Sequence, residues 1–216
     1  MFFYSNNLCK KLNFIFFLIL SAFTPMVVSA ASNDQTRWDK YYDMEEFLYG
    51  TEPIPFLKDN ISLLPKNKAL DLAMGEGRNG VYLATQGFEV LGLDVSPIGL
   101  NKAQQLAKQF NTTIQTRVVD LENYQLKKNS YDVIICTYYL QRDLFDQIKD
   151  SLKPGGMVLI ETFNTDYLKY SRFPKKYLLK HNELLEIFKD FKVIRYQMYD
   201  DGKEAFSSII AQKPKL

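Results

Sequence analysis

The chain has little with which to bind a metal or close a disulfide. Among its 216 residues stand one histidine, His181, and two cysteines, Cys9 and Cys136. None of these shares a ligand spacing with another, which argues against a zinc or iron centre. Net charge is scarce too. The full chain carries 27 basic against 25 acidic residues, and without residues 1–30, which hold Lys10 and Lys11, the balance is 25 to 25. A neutral chain lacks the electrostatic footprint of a nucleic-acid binder. The local cluster Lys169, Arg172, Lys175, Lys176 and Lys180 reads as a solvated rim, with attraction of an anionic substrate as the alternative. There is no internal repeat and no low-complexity tract.

No acidic residue occurs before Asp34. Lys10 and Lys11 precede the apolar run Leu12–Leu20, and Val28-Ser29-Ala30 supplies the small residues a signal peptidase reads. Residues 1–30 therefore read as a secretory signal cleaved after Ala30, which implies an exported, periplasmic or secreted protein. An uncleaved anchor is the alternative, because Leu12–Ala31 approaches the ~20 residues that span a bilayer; only then would the chain contact a membrane. Translation from Met26 would instead leave a cytoplasmic protein. After cleavage Cys136 stands alone in an apolar strand, where a buried, inert thiol is expected. The remainder, at 46% hydrophobic composition overall, suffices for one domain with a full core.

What is present is concentrated in residues 69–80, ALDLAMGEGRNG. Asp71 ends an apolar strand, Gly75 and Gly77 allow backbone N–H groups to approach a ligand without a Cβ in the way, and a helix from about Gly77 to Gln86 points its positive end at the same place. The next apolar run, Phe88–Leu93, ends in Asp94, placed to accept from both hydroxyls of a ribose, with Val95 following. These features call for an adenosine-containing cofactor. Gly75-x-Gly77-x-x-Gly80 also satisfies the dinucleotide pattern, but a carboxylate at Asp71 suits an ammonium better than a pyrophosphate. Asp120-Leu121, after a third strand, can accept from an exocyclic adenine amine and cover the ring. No second domain is present to hold a hydride acceptor, so an NAD-dependent oxidoreductase is the outside alternative.

The order Asp71, Gly75/Gly77, Asp94, Asp120 resembles the motifs of class I S-adenosylmethionine-dependent methyltransferases. Tyr131–Cys136 and Leu152-Lys153-Pro154-Gly155-Gly156 resemble that superfamily's fourth strand and the turn before its fifth. Trp38-Asp39-Lys40, Tyr49-Gly50-Thr51-Glu52-Pro53 and Leu140–Phe145 are similar to tellurite-resistance TehB-like members, and the match covers roughly residues 37–213. The departure is Ala73, where the commoner motif has glycine. The resemblance implies S-adenosyl-L-methionine as cofactor and a small-molecule acceptor that it does not specify. It also implies that Tyr41 and Tyr42 close over the cofactor, with packing on the sheet edge as the alternative. A non-catalytic protein that binds the same cofactor remains the alternative.

The pattern along the chain predicts an α/β fold, a doubly wound, mostly parallel seven-stranded Rossmann-like sheet closed by an antiparallel hairpin. Residues 31–67 form an N-terminal helix and loop over the cofactor, with 31–37 flexible and a helix at about 40–47; residues 68–213 form the methyltransferase domain. Strands are expected at 68–72, 88–93, 114–119, 131–136, 157–163, 191–199 and 205–212. Helices are expected at 78–86, 97–110, 143–152 and 182–190. Ser96-Pro97 is a helix start, and Asp200-Asp201-Gly202 a hairpin turn.

Ligands of open α/β sheets sit beyond the carboxyl ends of the strands. The cofactor candidates are thus Asp71, Ala73, Gly75, Gly77, Arg78, Asn79, Asp94, Val95, Asp120, Leu121 and Thr137, with Arg78 and Asn79 expected on the cofactor carboxylate. Acceptor candidates are Tyr138, Tyr139 and Arg142, followed by Glu161, Thr162 and Phe163. Tyr138 and Tyr139 could face a sulfonium, since ring faces attract cations, or pack under a loop. Arg142 suits an anionic acceptor or a surface pair with Asp143 or Asp146. His181 reads as a surface residue at a helix start. Methyl transfer needs a general base only where the acceptor must lose a proton, so no catalytic residue is assigned.

Overall fold

In parallel strands covered on both faces, apolar residues run without alternation, and this chain has four such runs. The computed structural model, which describes residues 32–215, forms them into β1 (Lys68–Leu72), β2 (Glu89–Asp94), β4 (Tyr131–Thr137) and β5 (Leu152–Phe163). β3 (Gln115–Val118) is the exposed edge on one side. β7 (Ala205–Gln212) runs antiparallel between β5 and β6 (Lys192–Asp200). The sheet order is β3-β2-β1-β4-β5-β7-β6, the expected seven strands closed by a hairpin. At its turn Asp201 accepts from the N–H groups of Lys203 and Glu204, and Gly202 takes φ +84°.

Side chains alternate between two apolar layers. Ala69, Val133 and Ile135 face one layer with α2 (Pro55–Asn60), α3 (Arg78–Thr85) and α4 (Pro97–Gln109). Leu70, Leu72, Ile134 and Cys136 face the other, with α5 (Leu144–Ser151) and α6 (Glu183–Ile187). Leu57, Leu72, Ile134 and Phe188 are fully buried, each contributing ~1.5–3 kcal/mol over exposure. Ala31–Leu216 forms one compact unit around these layers. Among the described residues no helix is long and apolar enough to cross a membrane; the leader, its cleavage and any anchor fall outside the described residues.

Four boundaries differ from expectation. The first helix, α1, spans Asn33–Tyr42, where flexible chain and a helix at 40–47 were expected, because Ser32 caps it by accepting from Gln35 N–H at 3.0 Å. Pro55, at a first helical turn where its missing N–H is harmless, starts the short α2 inside a predicted loop. β5 begins at Leu152, five residues early, pairing Tyr131 with Leu152 before a register shift. α6 is five residues long, opened by Asn182 in the left-handed conformation at φ +62°.

Candidate active site

The chain leaves β1 in one direction to build β2 and β3 and returns on the other side to build β4, so a crevice opens where β1 and β4 adjoin. A cleft lies there, at the place where open α/β sheets hold their ligands. Of the eleven cofactor candidates and the three leading acceptor candidates, all but Asp71 and Arg142 line it.

The loop between β1 and α3 is shaped by left-handed residues: Ala73 at φ +53°, Gly75 at +56° and Gly77 at +89°. Ala73 thus carries a Cβ in a conformation that glycine adopts more readily. A Cβ on Gly75 would stand 2.6 Å from the Tyr42 hydroxyl, and one on Gly77 would stand 2.5 Å from Ala103 Cβ. The next strand holds the loop from below. Met74 N–H donates to Leu93 O at 3.0 Å, and Gly75 N–H donates to Asp94 Oδ2 at 2.7 Å. Asp94 Oδ1 accepts from Ser96 N–H at 2.8 Å. Burial raises the Asp94 carboxyl above its ordinary range, against these backbone bonds, which favour its charge.

Asp71 sits beneath this loop rather than on the cleft wall, 2% exposed. It lies close against Gly80 in the first turn of α3, its Oδ2 2.7 Å from where a Gly80 Cβ would stand, and the Gly80 N–H favours its charged form. Burial, and next the charge of Asp94, push its carboxyl up to about 8. Direct contact with a cofactor ammonium is not what this position offers. Asp120 engages its own turn, accepting from Glu122 N–H at 3.0 Å and Asn123 Nδ2 at 2.9 Å, with Leu121 buried beside it.

The N-terminal segment is fastened over the loop by residues of the motif itself. Ser96 Oγ donates to Asp39 Oδ1, and Arg78 Nη1 donates to Tyr49 O at 3.0 Å. The Asn79 amide is committed at both ends: Oδ1 accepts from Ile54 N–H and Nδ2 donates to Thr137 Oγ1, each at 2.9 Å. It latches the Pro53–Pro55 loop to the end of β4, so the expected grip on a cofactor carboxylate falls to Arg78 alone. Lys102, 8% exposed, directs its three N–H groups at the carbonyls of Tyr42, Met44 and Glu46, at 3.4, 3.0 and 2.6 Å. Its ammonium also lies 2.5 Å from Glu76 Oε1, out of hydrogen-bonding line, so the Glu76 carboxylate has charge compensation and no hydrogen bond.

This cover brings Trp38, Tyr42, Tyr49 and Gly50 onto the cleft, with Trp38 stacked on Tyr42 at 5.5 Å. Of the two tyrosines expected to close over the site, Tyr42 does so, whereas Tyr41 is 51% exposed and off the wall. Asp34, Glu76, Val119 and Glu122 also line the cleft unforeseen. Glu76 lay in plain view inside the glycine motif; Asp34 and Glu122 carried no local signal. Burial, and next the charge of Glu161, raise the Tyr138 phenol to about 12, and burial raises that of Tyr139 as well, so both are neutral rings in this wall. Arg142 turns away, pairing Glu183 at 2.7 and 3.0 Å and donating to Lys176 O and Leu178 O. The partner is Glu183 rather than Asp143 or Asp146. His181 is on the surface against Asp166 at 3.1 Å. Among the described residues no cluster has the makings of a metal site.

A family model described as tellurite resistance protein TehB matches residues 35–203. The chain is 26% identical over 146 residues to the probable S-adenosyl-L-methionine-dependent methyltransferase TehB of Haemophilus influenzae, covering 64% of this chain and 50% of that one. It is 32% identical over 117 residues to the ubiquinone biosynthesis O-methyltransferase of Rickettsia akari, covering 50% and 45%. The chain thus spans about half the length of these curated relatives. The crystal structure of TehB from Haemophilus influenzae matches with a TM-score of 0.64 at 23% identity, over 83% of this chain and 66% of that one. The PH0226 protein of Pyrococcus horikoshii matches at 0.61 and 18%, over 84% and 99%. At these identities the two solved structures speak to the fold.

Proposed function

Because this chain belongs to the tellurite resistance protein TehB family, we propose that it is an S-adenosylmethionine-dependent methyltransferase acting on a small-molecule acceptor. The observation that carries the reading is the convergence on one cleft of Asp94 at the end of β2, the left-handed Gly75 and Gly77 above it, and Asp120-Leu121 after β3.

The residues fit that donor. Each Asp94 oxygen accepts one backbone N–H and keeps a lone pair for a ribose hydroxyl. The contacts that a Cβ would make at Gly75 and Gly77 restrict the cradle to glycine. Arg78, at the amino end of α3, is the cation available for a carboxylate. Tyr138 and Tyr49 line the end of the cleft nearest Arg78, whose guanidinium lies over both rings. When bound, the donor supplies an electrophilic methyl on sulfur. The chain then contributes proximity and orientation, worth up to ~7–11 kcal/mol, and a soft acceptor needs no base from it. Export by residues 1–30 belongs to the same proposal: the mass of the native amino terminus begins at Ala31 if the leader is cleaved and at Met26 if translation starts internally.

The test is titration calorimetry on the Ala31–Leu216 unit, which carries its own core. S-adenosylhomocysteine should bind, with NAD and NADP giving no heat. Binding of NAD with no response to S-adenosylhomocysteine would sink the reading.

A further inference from the structure

We infer that the acceptor is a planar aromatic molecule, seated on a floor of rings that continues the donor cleft past Tyr138; this rests on the methyl-transfer reading above. The Tyr138 ring, which lines the cleft, lies 5.4 Å from Phe163 and 5.6 Å from Phe206. Phe163 in turn stacks on Tyr167 at 4.2 Å and 19°, and Tyr199 stacks on Phe206 at 6.4 Å and 8°. On the cleft side Tyr49 lies parallel to Tyr138, at 6.5 Å and 1°. These rings come from the N-terminal cover, the ends of β4, β5 and β6, the turn after β5, and the start of β7, so chain proximity does not account for their meeting.

Two features mark the floor as a built surface. Tyr138 holds φ +57°, a conformation that a bulky side chain adopts at a cost of ~1–3 kcal/mol and that clusters at ligand sites. Its N–H is fixed by Glu161 O at 2.8 Å. Also, Tyr49 and Tyr199 at the two ends are each 50% exposed, and joined apolar rings left in water mark a binding surface. Offset or edge-on contact with a further ring is worth ~0.5–1.5 kcal/mol beyond burial for each partner.

Recognition rests on the rings and not on charge. The Arg78 guanidinium lies over Tyr138 and Tyr49 at 5.2 and 5.7 Å and is bonded to Tyr49 O, and Lys169, at the rim, is paired with Asp166 and Asp200. For an aromatic thiolate the step balances without a proton. A sulfur lone pair of the acceptor forms the new bond to the methyl carbon, the carbon–sulfonium bond breaks with its pair left on the donor sulfur, and two thioethers result.

The test uses 4-nitrothiophenol, 2-mercaptoethanol and selenite as acceptors. In parallel, calorimetry measures binding of 4-nitrothioanisole, the methylated product, to the S-adenosylhomocysteine complex. The aromatic thiol should exceed both others in kcat/KM, and the thioanisole should bind. Tyr167→Ala, and independently Tyr199→Ala at a half-exposed position, should weaken thioanisole binding by about tenfold, the value of one lost ring contact, with S-adenosylhomocysteine affinity unchanged. The inference is overturned if the homocysteine ligand binds but the thioanisole does not, if the aliphatic thiol or selenite is used equally well, or if neither variant alters thioanisole binding. Failure of S-adenosylhomocysteine itself to bind would instead remove the methyl-transfer reading.

Discussion

Replacing Asp71 with asparagine isolates one buried carboxyl at nearly constant shape. In the native fold burial, with Asp94 nearby, raises this group from 3.8 to about 8. A folded-state value above the unfolded one means that the native protein prefers the neutral acid. The stabilising contribution is therefore complete below about pH 4 and is lost as pH rises toward 8. The interval from 3.8 to about 8, at ~1.4 kcal/mol per unit, sets an upper bound of ~6 kcal/mol, reached at alkaline pH. The substituted amide cannot ionise and escapes this loss. Ligand-free denaturant melts at about pH 5 and about pH 8 should show D71N the more stable protein at both, by up to ~2 kcal/mol at the lower pH and up to ~6 kcal/mol at the higher. Above about pH 8, where Asp71 ionises, S-adenosylhomocysteine binding should be weaker in D71N by ~1–2 kcal/mol, the through-space value of one charge below the loop facing the ligand ammonium above it, and near-equal in the two proteins below that pH. Identical pH slopes in the two proteins would refute the burial argument. Unchanged affinity above pH 8 would leave Asp71 with a structural part alone.

Asp94→Ala removes a carboxylate that anchors Gly75 and Ser96 and is proposed to hold the ribose; S-adenosylhomocysteine affinity by calorimetry should fall about tenfold or more, at ~1.5–3 kcal/mol per charged bond. Lys102→Met leaves Glu76 buried without its counter-charge and frees three cover carbonyls, so ligand-free stability in urea should drop by ~3–5 kcal/mol. Adding Glu76→Gln in the same chain should restore part of that loss.

The sheet was legible because its parallel strands are apolar on both faces, so most strand positions and the closing hairpin follow from composition and turns. Most of the cleft wall was legible for a related reason: ligand residues cluster at strand ends, and the glycine loop marks one of them. What was hidden is tertiary. α1 is polar along NDQTRWDKYY, and its position is set by the Ser32 cap, the Asp39–Ser96 contact and the rings of Trp38 and Tyr42. Arg142 finds Glu183 forty-one positions on, a pairing that no local pattern announces. The depth of Asp71 depends on how closely Gly80 packs over it, with Asp71 Oδ2 2.7 Å from where a Gly80 Cβ would stand. Asn79 looked like a ligand residue because it follows the loop, yet its amide is spent on Ile54 and Thr137.

The most direct measurement is a crystal structure of the Ala31–Leu216 unit with S-adenosylhomocysteine. The account predicts the ligand in the cleft beside β1 and β4, both ribose hydroxyls on Asp94, the adenine against Leu121, and the thioether sulfur toward Tyr138. A ligand bound elsewhere, or a ribose that does not touch Asp94, would contradict it.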